Sequence, residues 1–349
     1  MTRDGMTIHS PNLKRYLPKF NQTIQINSFG MRDREHTLEK AQGIFRILLL
    51  GDSFMEAYQV SFEKSFPSLL ENLLTHTSGI PVEVVNASVS GWGTDDELVY
   101  LMKYGLRFKP DLILIAMTLH NDVVDNLVEK YHVFLNGELI ERPIREMPWN
   151  EFLELEIKTY LATHSHLYQV FLHYSRSSQV QAGASLLDAH VAELIHIPQG
   201  DTVKKGWDMT DRLLGKMKIA AERIGAKTAI VLLPLRIQTA DTTFNEFLTR
   251  HKLAMEEAYL HQPQTIMEEI GTRHLIEIID LLPGFQKWTS EAGQPLYLEK
   301  DGHWNEYGHS LAAKVVSEEL LHRNVIDSSA RSMNSIEAKM TGSEALPTN

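Results

Sequence analysis

Cysteine is absent from this chain of 349 residues, which excludes disulfides, thiolate nucleophiles and cysteine-ligated zinc. Basic residues are in deficit, with 34 Lys and Arg against 45 Asp and Glu and a formal net charge of −11. They are also scattered, and the run Lys14-Arg15 is short, so the clustered cations that bind nucleic-acid phosphates are missing. No stretch approaches the roughly 18 apolar residues of a membrane span. The start, Met1-Thr2-Arg3-Asp4-Gly5, has no apolar core of a signal peptide. The expected compartment is the cytoplasm if the chain is complete, and periplasmic or extracellular if an N-terminal anchor was removed.

What is present suits a large buried core: 43% of residues are hydrophobic and 23% charged, as in an ordinary globular domain. Residues 1–43 are polar, punctuated by Pro11, Pro18 and Gly30, with a short alternation at Thr23-Ile24-Gln25-Ile26. They read as an N-terminal extension wrapping the main domain, which is expected over 44–325. From residue 44, continuous aliphatic runs alternate with amphipathic stretches. The strands expected are 44–50, 82–86, 112–117, 227–233 and 274–279. Ser65 and Pro67 open a helix that Gly79 ends, and Thr94-Asp95-Asp96-Glu97 reads as a capping box for a helix to about Phe108. Aliphatic strands alternating with helices indicate an α/β fold, a parallel sheet covered on both faces.

The alternation is broken over 123–205. A hairpin is expected around Asn136-Gly137, and a helical stretch over 149–175. This insertion is either a substrate-binding cap or a packing embellishment. After it come helices expected at 207–224 and 242–270, a loop with Pro283, Gly284 and Pro295, and a last helix carrying Leu311, Val315, Val316 and Leu320. Residues 326–349 are small and polar and read as a disordered tail.

The first strand runs into Gly51-Asp52-Ser53, which delivers a hydroxyl to the carboxyl edge of the sheet, where open α/β folds bind ligands. A serine hydroxyl becomes a nucleophile only beside a base held in the right tautomer. Among 16 histidines, His303 is distinguished by Asp301 two residues before it, placed after the last core strand. A turn there lets the carboxylate reach Nδ1 and leaves Nε2 for the serine. Oxyanion donors are available from the Ser53 amide, from Gly91, whose amide can approach closely, and from the Asn121 side chain. All three follow predicted strands.

Together these blocks resemble the SGNH, or GDSL-type, hydrolase family. Gly51-Asp52-Ser53-Phe54 carries the nucleophile, Asn86-Ala87-Ser88-Val89-Ser90-Gly91 the oxyanion glycine, Asn121-Asp122 the oxyanion asparagine, and Asp301-Gly302-His303 the acid and base. The resemblance covers about 44–323. It implies a three-layer α/β/α fold with a five-stranded parallel sheet in the order 2-1-3-4-5, and ester hydrolysis without metal or cofactor. Three positions depart from the family: Leu119 stands where Gly is usual, Ala57 where Gly is frequent, and the family's Asp-x-x-His would place the acid at Lys300. Asp301 is therefore assigned as the acid, with Glu299 the weaker choice. Asp301-Gly302-His303-Trp304 resembles the variant in SGNH-like polysaccharide O-acetylation proteins. Asn27-Ser28-Phe29-Gly30-Met31-Arg32-Asp33 looks like a segment that follows a membrane anchor in bacterial SGNH proteins.

Other candidates point elsewhere. His164 and His166 fall two apart on a predicted helix and face apart. His120 with Asp122 and Asp125 reads as a solvated helix start rather than a metal cluster. Gly91-Trp92-Gly93 lacks the third glycine of a dinucleotide loop. Trp92 and Trp304 either line the substrate pocket or pack in the core.

The expectation is a serine ester hydrolase acting through an acyl-enzyme on a small acyl ester, an acetylated carbohydrate first. An O-acyltransferase, a non-catalytic carbohydrate-binding module and a flavodoxin-like cofactor binder are the alternatives. No cofactor, metal or nucleic-acid partner is expected.

Overall fold

Five aliphatic runs assemble into one parallel sheet: β1 (Phe45–Gly51), β2 (Val82–Ser88), β3 (Leu112–Thr118), β4 (Lys227–Leu233) and β5 (Glu277–Asp280). Their spatial order is β2-β1-β3-β4-β5, every pair parallel, as the resemblance implied. The molecule is a computed structural model that describes residues 2–3, 6–119, 121–128, 131–135, 138–141, 157, 189–299 and 301–326.

The period of two along each strand divides the core into two layers. Leu48, Leu50, Ile113, Ile115, Ile230 and Leu232 face one side of the sheet. They meet α3 (Thr94–Lys103), α5 (Asp201–Arg223), α6 (Asp241–His251) and α7 (Gln262–His274) through Leu98, Leu213, Phe247 and Ile270. Ile47, Leu49, Leu112, Leu114, Ala229 and Val231 face the other side. There they meet α2 (Phe66–Ser78), α8 (Leu282–Ala292) and α9 (Glu306–His322) through Leu70, Phe285 and Val316. Two one-turn helices, α1 (Ser53–Glu56) and α4 (Asp122–Asp125), begin just past β1 and β3. Each fully buried Leu or Ile is worth ~1.5–3 kcal/mol, so this three-layer burial carries the fold.

Strand β2 is an edge, and its outward amides would be unpaired. Side chains take them instead. Val82 N–H donates to Thr75 Oγ1 at 3.2 Å, Val84 N–H to Glu71 Oε2 at 2.8 Å, and Asn86 N–H to Asp33 Oδ2 at 2.7 Å. The last of these comes from the N-terminal segment. That segment forms a two-stranded hairpin, Lys14–Leu17 with Gln22–Gln25, and is tied on by the Trp92 indole donating to Thr7 O at 2.9 Å.

Several local expectations need correction. The helix expected at 207–224 begins earlier: Asp201, Thr202, Lys204 and Lys205 form the solvent face of the first turns of α5, with Val203 and Gly206 buried. Thr94 does not cap α3: the N-cap is Gly93, which has no side chain to complete a capping box, and only its N–H is taken, by Asp96 Oδ2 at 3.1 Å. The helices expected over 242–270 are α6 and α7, but the second continues to His274, so β5 starts only at Glu277. Pro283 and Gly284 lie inside α8 rather than in a loop. A proline in the first turn gives up an amide that has no helical partner, so it opens helices readily.

Within the insertion, His132–Leu135 pairs antiparallel with Glu138–Glu141. The turn at 136–137, most of the expected 149–175 helix, His120, His164, His166 and the tail beyond 326 lie outside the described residues. Among the described residues no helix is long and apolar enough to cross a membrane.

Candidate active site

The carboxyl ends of β1, β2 and β3 lie along one edge, with Gly51 opposite Ser88 and Leu50 opposite Ile115, beyond which β3 runs on to Thr118. Ser53, Gly91 and Asn121 follow these ends directly. Asp52 caps α1: its Oδ1 accepts the Phe54 amide at 2.9 Å, which fixes the turn that presents Ser53. Gly51 allows the tight exit from β1, because a Cβ there would stand 2.6 Å from Met55 Cγ.

His303 and Asp301 arrive from the opposite end of the chain. Leu298 N–H donates to His303 O at 2.8 Å and Gly302 N–H to Leu298 O at 2.9 Å, which closes a tight loop before α9. Gly302 holds φ +83, the left-handed region that side chains resist. This turn brings Asp301 Oδ1 within 2.6 Å of His303 Nδ1 across only one intervening residue. His303 Nε2 lies 2.7 Å from Ser53 Oγ. The Phe54 ring, centroid 4.8 Å from the imidazole, supports it from one side. Glu299 is exposed, and Asp301 is the carboxylate that meets the imidazole.

Two residues that the sequence did not single out reach Asp301. Lys19 of the N-terminal hairpin pairs with Oδ2, and Gln59 Nε2 donates to Oδ1 at 3.0 Å. Burial pushes the Asp301 carboxyl up. The hydrogen bonds from His303 and Lys19 outweigh it and hold the group well below the usual carboxylate range. Neither partner carries a local sequence signal, since Lys19 stands 282 positions from Asp301 and Gln59 stands 242.

The Asn121 side chain sits beside this array, its Nδ2 3.3 Å from Asp52 Oδ2 and 3.4 Å from Asp125 Oδ2. Asp122 is not solvated as expected: it is buried, and its Oδ2 accepts the Thr118 amide at 2.7 Å. Burial and the neighbouring Asp52 and Glu97 charges raise the Asp122 carboxyl well above its ordinary value. Burial likewise raises Asp52, against the pull of the Phe54 amide and the His303 charge. Among the described residues, no group of three or more His, Asp or Glu is placed to hold a metal ion.

The remaining expectations separate cleanly. Trp92 and Trp304 are fully buried, packed on Tyr100 and on Phe54 and Phe285, so they line no open pocket. Leu119, where the family usually has glycine, is core. Ala57 takes φ 56 and is completely buried, a left-handed conformation that explains why glycine is frequent at that position.

Comparison with known proteins gives three findings. Residues 199–343 match the family described as SGNH hydrolase-like domain, acetyltransferase AlgX. An arylesterase of Vibrio mimicus is 42% identical over 78 residues; these make up 22% of this chain and 38% of that protein, so the match spans well under half of the relative. Among solved structures, TesA aligns over 79% of this chain and 97% of its own at 14% identity and a TM-score of 0.41. The acetyl xylan esterase AlAXEase aligns over 79% and 100% at 12% identity and a TM-score of 0.42. The family match lies over the second part of the chain, which is similar there to the SGNH hydrolase-like domain, and the fold it belongs to is the α/β one with the 2-1-3-4-5 parallel sheet.

Proposed function

We propose that this protein is a serine ester hydrolase in which Ser53, His303 and Asp301 act as nucleophile, base and orienting acid. One observation carries the reading: the unbroken contact from Ser53 Oγ to His303 Nε2 to Asp301, at 2.7 and 2.6 Å. Ser53 attacks the ester carbonyl carbon while His303 Nε2 takes the hydroxyl proton. Asp301 stays ionised, fixes the tautomer and stabilises the imidazolium.

The developing oxyanion is received by the Ser53 and Gly91 amides and the Asn121 side chain. Both Asn121 Nδ2 contacts, to Asp52 at 3.3 Å and to Asp125 at 3.4 Å, are long, which leaves the amide able to turn to the oxyanion. His303 then protonates the leaving alcohol as the carbonyl re-forms, giving an acyl-serine and a free alcohol. Water repeats the sequence and releases the acid, restoring Ser53.

The substrate proposed is a small acyl ester, with an acetylated carbohydrate first. The acetyltransferase in the family description favours a second reading, in which a sugar hydroxyl replaces water and an O-acetyl group is transferred. A panel of acyl esters against wild type and Ser53→Ala tests the first half-reaction. Turnover by wild type and none by the variant is expected; equal rates would end the assignment. The same reaction with an acceptor sugar separates hydrolase from transferase, since only a transferase yields acylated acceptor.

A further inference from the structure

Glu56 ends α1 one turn beyond Ser53, and its side chain is completely buried. A carboxylate withdrawn from water persists where donors surround it. Here each oxygen has its own. Oε2 accepts the Ser90 amide N–H at 2.9 Å and also the Ser90 hydroxyl. Oε1 meets His9 Nε2, which the Tyr58 hydroxyl approaches at 3.0 Å. The Glu56 carbonyl accepts Arg32 Nη1 at 2.7 Å, so the N-terminal segment holds this residue by side chain and backbone together.

Ser90 is itself exposed and has water available, so what the contact fixes is the loop. Trp92 N–H donates to Val89 O at 3.1 Å, closing a four-residue turn with Ser90 and Gly91 at its centre. Gly91 has φ +82, the positive value that favours glycine at the third position of such a turn. The peptide plane between Ser90 and Gly91 aims the Gly91 N–H. Binding the Ser90 amide and hydroxyl to one carboxylate oxygen holds the residue on which that plane turns.

We propose that Glu56 is a positioning residue for the Gly91 oxyanion donor, acting through Ser90, with His9 of the N-terminal segment completing its site. The proposal rests on the ester-hydrolase reading. Glu56 touches no substrate. It ties the helical turn that carries the nucleophile to the loop that carries the donor, so the two move as one unit. The N-terminal segment is then part of the catalytic apparatus.

The test compares full-length wild type, Ser53→Ala, Ser90→Ala, Glu56→Gln and His9→Gln by steady-state turnover of p-nitrophenyl acetate, with Tm measured alongside. Losing one oxyanion donor outright costs ~10²–10³ in rate, so loosening one is expected to lower kcat about tenfold in Ser90→Ala and Glu56→Gln, with KM nearly unchanged. His9→Gln should move kcat the same way by less. Ser90→Ala takes one donor from the buried Glu56 carboxyl and leaves the Ser90 amide bond to it in place, and its Tm shows that kcat is read on folded protein. Folded Ser90→Ala with wild-type kcat overturns the proposal, as does a rise in KM at constant kcat, which would assign Ser90 to substrate binding. A wild type no more active than Ser53→Ala on any ester is a different failure: it removes the hydrolase reading and this proposal with it.

Discussion

Ser53 Oγ and His303 Nε2 lie 2.7 Å apart although 250 residues separate them in the chain. The distance is within direct proton-transfer reach, and no ligand is needed to bring the groups together. Ser53→Ala and His303→Ala should each lower kcat on p-nitrophenyl acetate by ~10³-fold or more, because the two act as a unit. Asp301→Asn should cost ~10²–10⁴-fold while leaving Ser53 in place. Steady-state kinetics with thermal melts as a folding control would check all three. Retained activity in folded His303→Ala would remove the base from the mechanism.

His36 links pH to the attachment of the N-terminal segment. It is buried between Asp33 Oδ2, at 2.8 Å, and Glu83 Oε1, at 2.7 Å, and Arg46 Nε donates to the second Glu83 oxygen at 2.6 Å. Burial alone would lower the His36 pKa, but the two carboxylate hydrogen bonds raise it from 6.5 to about 9. A histidine raised in the folded state contributes stability that is fully present below about pH 6.5 and lost as pH climbs through about 9. Tm should therefore fall between pH 7 and 10. His36→Gln should start lower at pH 7 and lose less over the same range, as followed by circular dichroism.

Glu97 should show the same direction of pH dependence from a different cause. It is 1% exposed, and neither carboxylate oxygen has a hydrogen-bond partner among the described residues. Burial, then the Asp52 and Asp96 charges, push its carboxyl well above 4.5. The raised folded pKa gives stability that is present below the ordinary carboxyl value and lost as pH rises toward the folded one. Relative to wild type, Glu97→Gln should gain Tm progressively from pH 5 to pH 8. A difference that does not change with pH would show that this carboxyl does not titrate with folding.

Gly308 in the first turn of α9 packs against the loop that carries Asp301 and His303. A Cβ there would meet Leu296 O at 2.5 Å and Trp304 Cβ at 2.8 Å, both held in place. Gly308→Ala should cost ~1–3 kcal/mol through overpacking and shift residues 296–304. A lower Tm together with a lower kcat is expected. A drop in Tm with kcat intact would mean that the loop absorbs the change without moving His303.

What the sequence determined by itself was the local order of the chain. Runs such as Ile44-Phe45-Arg46-Ile47-Leu48-Leu49-Leu50 specify buried strands, because only a sheet covered on both faces hides continuous aliphatics. Their sequence positions put Ser53, Gly91 and Asn121 just past three strand ends. Local patterns misled where polar residues form one exposed helical face, as at the start of α5, and where a proline opens a helix, as at Pro283.

Tertiary structure alone decided which distant groups meet. The one-residue spacing between Asp301 and His303 works because Gly302 turns the chain at positive φ. Lys19 and Gln59 on Asp301, and Glu56 under Ser90, are pairings across 34 to 282 positions. Periodicity carries no record of such contacts, since it reports which face of an element is buried and not what lies opposite. The same limit hid Asp122, which reads as a surface helix start and is in fact sealed beside Asp52 and Glu97.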